Sequence, residues 1–423
     1  MSPPNQPGSP DGTPAPAGGD ARPAEGQDGS KGRILVAMSG GVDSSVTAAL
    51  LVEAGYEVVG VTMKTFCYSD NEGPSRSCCG LEGISDARRV ADTLGIPHYV
   101  FDVEDAFTRD VVDDFVSEYA RGRTPNPCVR CNSTTKFPDL LERGRAFGCD
   151  GIATGHYVRS EHRPDGTTAL YRGVDEDKDQ AYFLWGLPRE ILPRLHFPLG
   201  SLTKPEVRER ARELGLATAD KPESQEICFV PTGDYRDFLR KELPRTSPAL
   251  EPGTLVTRDG TVVGEHEGYA GFTVGQRRGF GGGFPEAMYV LEIRPDTREV
   301  VIGPREALYS ARVVVSELNW LDAPPKPGDE VQIQIRYGAR PTAARVVEDA
   351  PADGAGVSTA SAVATAPSDA SLVLEFDTPQ RAVTPGQSGV VFRGDRLLGG
   401  GRIESAVPVV SADRDPSREA ATV

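Results

Sequence analysis

Two groups of residues in this sequence have the types and spacing for chemistry. The first is Ser39-Gly40-Gly41-Val42-Asp43-Ser44-Ser45, which follows the apolar run Ile34 to Met38 and leads into the helix-prone Val46 to Glu53. A strand that passes through small, flexible residues into a helix presents backbone N–H groups at the positive end of the helix dipole, where a phosphate is held. Asp43, Ser44 and Ser45 supply the carboxylate and hydroxyls that favour a helix N-terminus. The second group pairs Thr124-Pro-Asn-Pro-Cys128-Val-Arg-Cys131-Asn132 with Ser224-Gln-Glu-Ile-Cys228-Phe229. Prolines on both sides of Asn126 predict an extended, exposed loop. Arg121, Arg123, Arg130 and Lys136 around it predict a depressed thiol pKa and therefore more of the nucleophilic thiolate.

Which elements must position these groups follows from the rest of the chain. At 423 residues, two or three domains are expected. No apolar run is long enough to span a membrane, and the first thirty residues lack the apolar segment of a signal peptide, so a cytoplasmic protein with no membrane partner is expected. Seven cysteines, an odd number, argue against a disulfide framework. Cys149 reads as buried filler, and Cys67, Cys78 and Cys79 fall in a Gly/Ser-rich loop. The five histidines are scattered, which leaves a zinc site weakly supported. A net charge of −16 argues against a broad nucleic-acid surface. The cations of Lys204 to Arg212 and of Arg236 to Arg245 read as solvated helix faces or as a small basic footprint.

From Arg33 to about Val158, strand and helix patterns alternate, which predicts an open α/β parallel sheet with right-handed crossovers. In such a sheet Ser39-Gly40-Gly41, Met63 and Gly155-His156 converge on one crevice at the carboxyl ends of the strands. Lys178-Asp179-Gln180 is a polar turn able to meet phosphate and base edges. Short extended runs between glycines fill 253–303. Evenly spaced strands after Leu308, including one over 330–337, predict a small barrel.

The first motif lacks the Lys-Ser/Thr of a Walker loop and the spacing of a dinucleotide fingerprint. It resembles instead the pyrophosphatase loop of enzymes that split ATP into AMP and pyrophosphate. Together with T-P-N-P-x-x-x-C-N, A-T-G-H-Y, K-D-Q, S-Q-E-I-C-F, T-V-G-Q-R-R-G, R-Y and P-G-Q-S-G-V in this order, the chain resembles the bacterial tRNA-specific 2-thiouridylases from about Arg33 to Glu404. Composition predicts a disordered tail (1–31), and the resemblance implies an ATP pyrophosphatase-loop catalytic domain (32–232) and a small central domain (233–308). A tRNA-binding β-barrel (309–406) follows, with a flexible insert (350–369), and then a second loose tail (407–423).

By the same resemblance, Ala37, Met38, Ser39, Gly40, Gly41, Val42, Asp43, Ser44, Met63 and Gly155 would hold ATP with Mg2+. Asn126, Pro127, Cys128, His156, Lys178, Asp179, Gln180, Arg336, Tyr337 and Gln387 would contact tRNA. Cys131 matches the nucleophile and Cys228 the persulfide-bearing cysteine, and Cys131 would either release the sulfur or close a disulfide with Cys228. A cysteine desulfurase or a sulfur relay protein would be the donor. One departure stands out: similar sequences commonly carry Asp where this one has Cys128. Three cysteines, Cys128, Cys131 and Cys228, could instead ligate a [4Fe-4S] cluster with one open iron. Another alternative is an amide-forming ligase with the same loop, which would need no exposed thiol pair.

Overall fold

The computed structural model describes residues 31–65, 81–223, 227–230, 234–348 and 371–409. Nearly all of both expected tails, Cys67, Cys78 and Cys79, Ser224 to Glu226, and the expected insert lie outside the described residues. In chain order the first part comprises β1 (Arg33–Ala37), α1 (Val42–Glu53), β2 (Glu57–Lys64), α2 (Leu81–Leu94), β3 (His98–Asp102), α3 (Glu104–Phe107), α4 (Asp113–Ala120), α5 (Pro127–Arg130), α6 (Phe137–Ala146) and β4 (Gly151–Ala153). Two π-helical turns, Thr108–Val112 and Cys131–Lys136, join α3 to α4 and α5 to α6. After β4 come the hairpin β5 (Val158–His162) and β6 (Thr168–Arg172), the short β7 (Leu195–His196), α7 (Lys204–Glu213) and α8 (Tyr235–Glu242).

Strands β3-β2-β1-β4-β7 form one parallel sheet whose inner strands β2, β1 and β4 are buried on both faces. Its connections diverge between β1 and β4, so the crevice at their carboxyl ends is the expected ligand position. The α/β fold expected from the alternating pattern is the one observed.

The central unit is a sheet of order β10-β11-β8-β9, built from β8 (Gly253–Val256), β9 (Val262–His266), β10 (Met288–Arg294) and β11 (Glu299–Pro304). It has no separate core. Leu255, Phe272, Val290 and Ile302 pack in one apolar cluster with Phe107, Val111 and Phe115 of the α3–α4 region, and with Phe229, Phe238 and Leu239. The last unit is a six-stranded barrel of β12 (Tyr309–Trp320), β13 (Glu330–Gln334), β14 (Thr342–Val347), β15 (Leu372–Arg381), β16 (Ser388–Arg393) and β17 (Arg396–Pro408), closed by the β12–β17 pairing. Closure removes unpaired edges, and Val313, Ile333, Leu374, Val391 and Ile403 fill the interior. The backbone approach of β17 to β12 requires small residues: a Cβ at Gly401 would lie 2.2 Å from the Ser316 carbonyl oxygen.

The barrel differs from the sequence expectation in two places. β13 ends at Gln334, so Arg336 and Tyr337 stand in a turn and not in a strand. The hairpin β5–β6, polar and without an apolar run to announce it, extends the barrel sheet by pairing Arg396 with Tyr171 and Leu397 with Leu170.

Candidate active site

Strand β1 delivers the chain to the crevice, where the Met38 N–H donates to the Val61 carbonyl at 2.7 Å. Gly40 then turns with φ +74°, and a Cβ there would lie 2.1 Å from the Gly83 carbonyl oxygen of α2. Glycine alone fits both the backbone angle and the space. The N-cap of α1 is Gly41, which has no side chain to offer the first-turn amides. This corrects the expected side-chain cap and leaves those N–H groups pointed at a ligand position. The hydroxyls of Ser44 and Ser45 turn inward to the Gly41 carbonyl at 3.1 and 2.8 Å, while Ser39 remains exposed. A Cβ on Gly155, after β4, would lie 3.0 Å from the Ser44 nitrogen, so the β1 and β4 loops meet as expected. Ala37 and Val42 flank the turn. Met38, just after β1, and Met63, in β2, are buried.

Asp43, in the first turn of α1, is held by groups the sequence reading did not single out. Lys204 Nζ donates to both carboxylate oxygens at 2.8 Å, and the Tyr157 hydroxyl donates to Oδ1 at 2.8 Å. Lys204 also pairs with Glu223 at 3.0 Å, and Lys178 reaches the same glutamate at 2.8 Å. Lys204 is therefore not part of a solvated helix face: its side chain is only 8% exposed. The signal lay in Thr203-Lys-Pro-Glu206, where the Thr203 N–H donates to Glu206 at 2.7 Å and Pro205 sits in the first turn of the helix. A helix start fixed in this way sets Lys204 at its mouth. Burial and the Asp43 charge both raise the Tyr157 phenol, which stays protonated and donating.

The cysteine segment is not an extended loop. Asn126 Oδ1 caps a helix by accepting from the Cys128 and Val129 N–H groups at 3.2 and 3.4 Å, with Pro127 at the first position. A proline there loses no intrahelical bond, so the two prolines start a helix. Cys128 is exposed on its first turn, and Cys131, on the following turn, is half-buried. Cys228 sits in a turn anchored by Phe229, whose ring meets Phe107, Phe115 and Phe238 edge-on or tilted at 5.2–5.8 Å. Cys131 and Cys228 both pack against this same apolar cluster.

The expected depressed thiol pKa is also corrected. Burial pushes the Cys131 thiol up, with Lys136 pulling weakly the other way. The surrounding arginines are committed elsewhere: Arg121 and Arg123 pair with Glu118 at 3.3 and 3.0 Å, and Arg130 lies 3.9 Å from Asp114. Alkylation of Cys131 by iodoacetamide, followed by mass spectrometry, is accordingly expected to lag that of Cys128 at neutral pH. It should accelerate as pH rises past the ordinary thiol range of about 8.5. Equal rates at neutral pH would mean that burial does not govern this thiol. Cys149 is buried filler, as expected.

Lys136 also acts on His156, which links the thiol helix to the nucleotide loop. Burial and Lys136 hold His156 well below its usual pKa. The neutral ring stacks on Phe137 at 5.9 Å and bonds to the Thr154 hydroxyl at 2.6 Å. Of the K-D-Q turn, Asp179 faces inward and accepts from the Gly173 and Ala181 N–H groups at 3.0 and 3.2 Å. Gln180 Oε1 accepts from the Tyr157 N–H at 3.1 Å. Arg336 and Tyr337 are exposed, and the Tyr337 ring lies 4.4 Å from that of Phe183. Partial burial pushes the Tyr337 phenol up, so it stays protonated. Gln387 instead turns into the protein, its amide donating to the Thr124 and Pro125 carbonyls at 2.8 and 3.2 Å.

Among the described residues, no three His, Cys, Asp or Glu side chains are gathered to hold a metal, Cys128, Cys131 and Cys228 included. Cys128 is exposed while Cys131 and Cys228 pack on the apolar core, so the three-cysteine cluster does not fit the described residues. Mg2+ would arrive on the nucleotide phosphates, which normally supply most of its non-water ligands, and take at most Asp43 from this loop. No helix among the described residues is long and apolar enough to cross a membrane.

Fold and loop define a nucleotide-binding α/β domain extended by two β units. Residues 32–232 match the family described as tRNA methyl transferase HUP domain, 236–304 the tRNA methyl transferase PRC-barrel domain, and 354–403 the aminomethyltransferase beta-barrel domain. Over 377 residues the chain is 49% identical to a tRNA-specific 2-thiouridylase MnmA of Carboxydothermus hydrogenoformans, covering 88% of this chain and 97% of the relative. It is 47% identical to that of Geobacter metallireducens over 379 residues, covering 89% and 97%. The chain belongs to the tRNA-specific 2-thiouridylase family and is an enzyme, which sets aside the amide-ligase alternative.

Proposed function

We propose that this protein replaces the C2 oxygen of a tRNA wobble uridine with sulfur at the expense of ATP. The observation that carries the reading is the placement of Cys131 and Cys228 on one apolar cluster, with the Cys131–Lys136 turn leading into Phe137, on which His156 stacks, and the neighbouring Gly155 packed against Asp43 of the glycine loop. The C2 carbonyl is a poor electrophile. Its oxygen attacks the α-phosphorus of ATP, an adenylated uridine forms and pyrophosphate leaves. The amides of the first turn of α1 and the Lys204 ammonium stabilise the charge that develops on the departing pyrophosphate. Mg2+ carried by ATP supplies further charge neutralisation there.

The terminal sulfur of a Cys228 persulfide then attacks C2, and AMP leaves with the original oxygen. Cys131 attacks the Cys228 sulfur, which frees 2-thiouridine and closes a Cys131–Cys228 disulfide; a thiol reductant reopens it. The persulfide is loaded by a sulfur donor, a cysteine desulfurase or a relay protein. Burial of Cys131 holds back its reactivity until the segment is engaged.

For the base to reach these thiols it must leave its stack. The exposed Tyr337 ring on Phe183, with Arg336 beside it, suits a splayed base and its phosphate. Arg336→Ala is expected to weaken tRNA binding by about 1 kcal/mol and to reduce the salt slope by about 1, because a phosphate contact releases condensed counterion. Unchanged affinity at every salt concentration would turn Arg336 away from RNA.

The function is tested with purified protein, ATP, unmodified tRNA and a persulfide donor. Nucleoside mass spectrometry is expected to show 2-thiouridine with the wild type and none with Cys131→Ser or Cys228→Ser, while both variants still release tRNA-dependent pyrophosphate. Full thiolation by the double variant would overturn the thiol mechanism.

A further inference from the structure

The segment that leads to Cys228 is moored on the elements around the glycine loop. The Thr218 hydroxyl donates to that of Ser45 on α1 at 3.0 Å, and Lys221 pairs with Asp86 of α2. Arg208 of α7 donates to the Ala219 carbonyl at 2.7 Å and to the Lys221 carbonyl at 3.2 Å. The last mooring is Glu223, on which Lys178 and Lys204 converge at 2.8 and 3.0 Å, with Arg208 farther off at 4.0 Å. Burial pushes the Glu223 carboxyl up, but its bonds to the two lysines outweigh this and hold it below its usual pKa. It is therefore a charged anchor.

Cys228 follows Glu223 closely: the five residues between one Cα and the other span at most about 18 Å of extended chain. On the far side of the cysteine, Phe229 is sunk in the apolar cluster, 1% exposed. Cys228 is thus held between an apolar anchor and an ionic one. The ionic anchor is shared with the glycine loop. An ammonium has three N–H donors, and those of Lys204 are all engaged: it bonds both Asp43 oxygens at 2.8 Å and pairs with Glu223 at 3.0 Å. A phosphate oxygen that accepts from Lys204 must therefore displace one of these partners. Glu223 is the one displaced at lower cost, because it keeps Lys178 while Asp43 accepts two of the three bonds.

We infer that Glu223 is a positioning residue for Cys228, and that by sharing Lys204 with Asp43 it couples nucleotide binding at the glycine loop to exposure of the Cys228 thiol. The inference rests on the loop being the ATP site and deepens that reading. Phosphate draws Lys204 away, the ionic anchor weakens, and the sulfur-bearing cysteine comes forward when ATP is in place to activate the uridine. A persulfide on Cys228 is correspondingly shielded from stray thiols until then.

The test uses the full-length protein without RNA, as wild type, Glu223→Gln and Glu223→Asp. Cys228 alkylation by iodoacetamide is followed by mass spectrometry with and without ATP and Mg2+, and ATP binding is measured in parallel by equilibrium dialysis. In the wild type, saturating ATP is expected to speed Cys228 alkylation about fivefold or more. Glu223→Gln, which gives up its charge-assisted bonds, should alkylate Cys228 at the fast rate already without ATP and gain less than about twofold from it. Glu223→Asp, which restores the carboxylate, should recover part of the ATP response. Cys149 is buried in a different cluster, reports general loosening and should stay unreactive throughout. ATP that binds the wild type but leaves Cys228 alkylation unchanged or slower would overturn the inference and leave the nucleotide reading standing. A Gln variant with the full ATP response, or one in which Cys149 reacts alongside Cys228, would overturn it too. If ATP does not bind the wild type, the nucleotide reading and the inference fall together.

Discussion

Gly40→Val is expected to reduce AMP formation by about a hundredfold or more, the loss typical when preorganised backbone donors are displaced from a developing charge. The cause is local. Gly40 turns at φ +74°, and its Cβ would lie 2.1 Å from the Gly83 carbonyl oxygen, so a branched side chain forces the loop away from the start of α2. The first-turn amides of α1 then no longer converge where phosphate must sit. The exposed surface of Arg336 and Tyr337 is built from other segments, so tRNA binding should survive. Release of labelled AMP, measured beside filter binding of tRNA, separates the two effects. Undiminished AMP release would place the nucleotide elsewhere.

Lys204→Met is the second large effect. Methionine keeps most of the length and apolar stem of the lysine but removes the ammonium that holds Asp43 at 2.8 Å and Glu223 at 3.0 Å. Two consequences are expected together. Removing one partner from a largely buried ion pair costs about 3 kcal/mol, to be read from denaturant midpoints. Pyrophosphate loses a cation, and AMP formation falls by about two orders of magnitude. Asp43→Asn separates the two: it keeps an acceptor for Lys204 and so should cost less stability, while still removing the charge at the loop. A Lys204→Met protein that adenylates at the wild-type rate would reduce Lys204 to a structural counter-ion of Asp43.

Much of the chemistry was readable from local sequence because it depends on local backbone rules. A strand, small flexible residues and a helix start make a phosphate cradle wherever they occur in that order, and the alternating pattern from Arg33 onward admits little besides a parallel sheet. The order of motifs was enough to bring Cys131 and Cys228 into one reading. The helix start that carries Lys204 is written in Thr203 and Glu206, but the pairing of Lys204 with Asp43, 161 positions away, is not.

What the tertiary structure alone decided is how each side chain is engaged. Asn126 and the prolines could have extended the chain or capped a helix, and the cap formed because Pro127 at the first position loses no bond. The arginines near Cys131 could have lowered its pKa, but Glu118 and Asp114 on α4 draw them away while the shared apolar cluster desolvates the thiol. The Gln387 Nε2 group donates to the Thr124 and Pro125 carbonyls, more than 260 positions away, a pairing that its sequence neighbours do not announce. Ion pairs, burial and long-range hydrogen bonds depend on which distant elements pack together. A residue type and its sequence neighbours therefore set what a group can do, and the fold sets what it is left available to do.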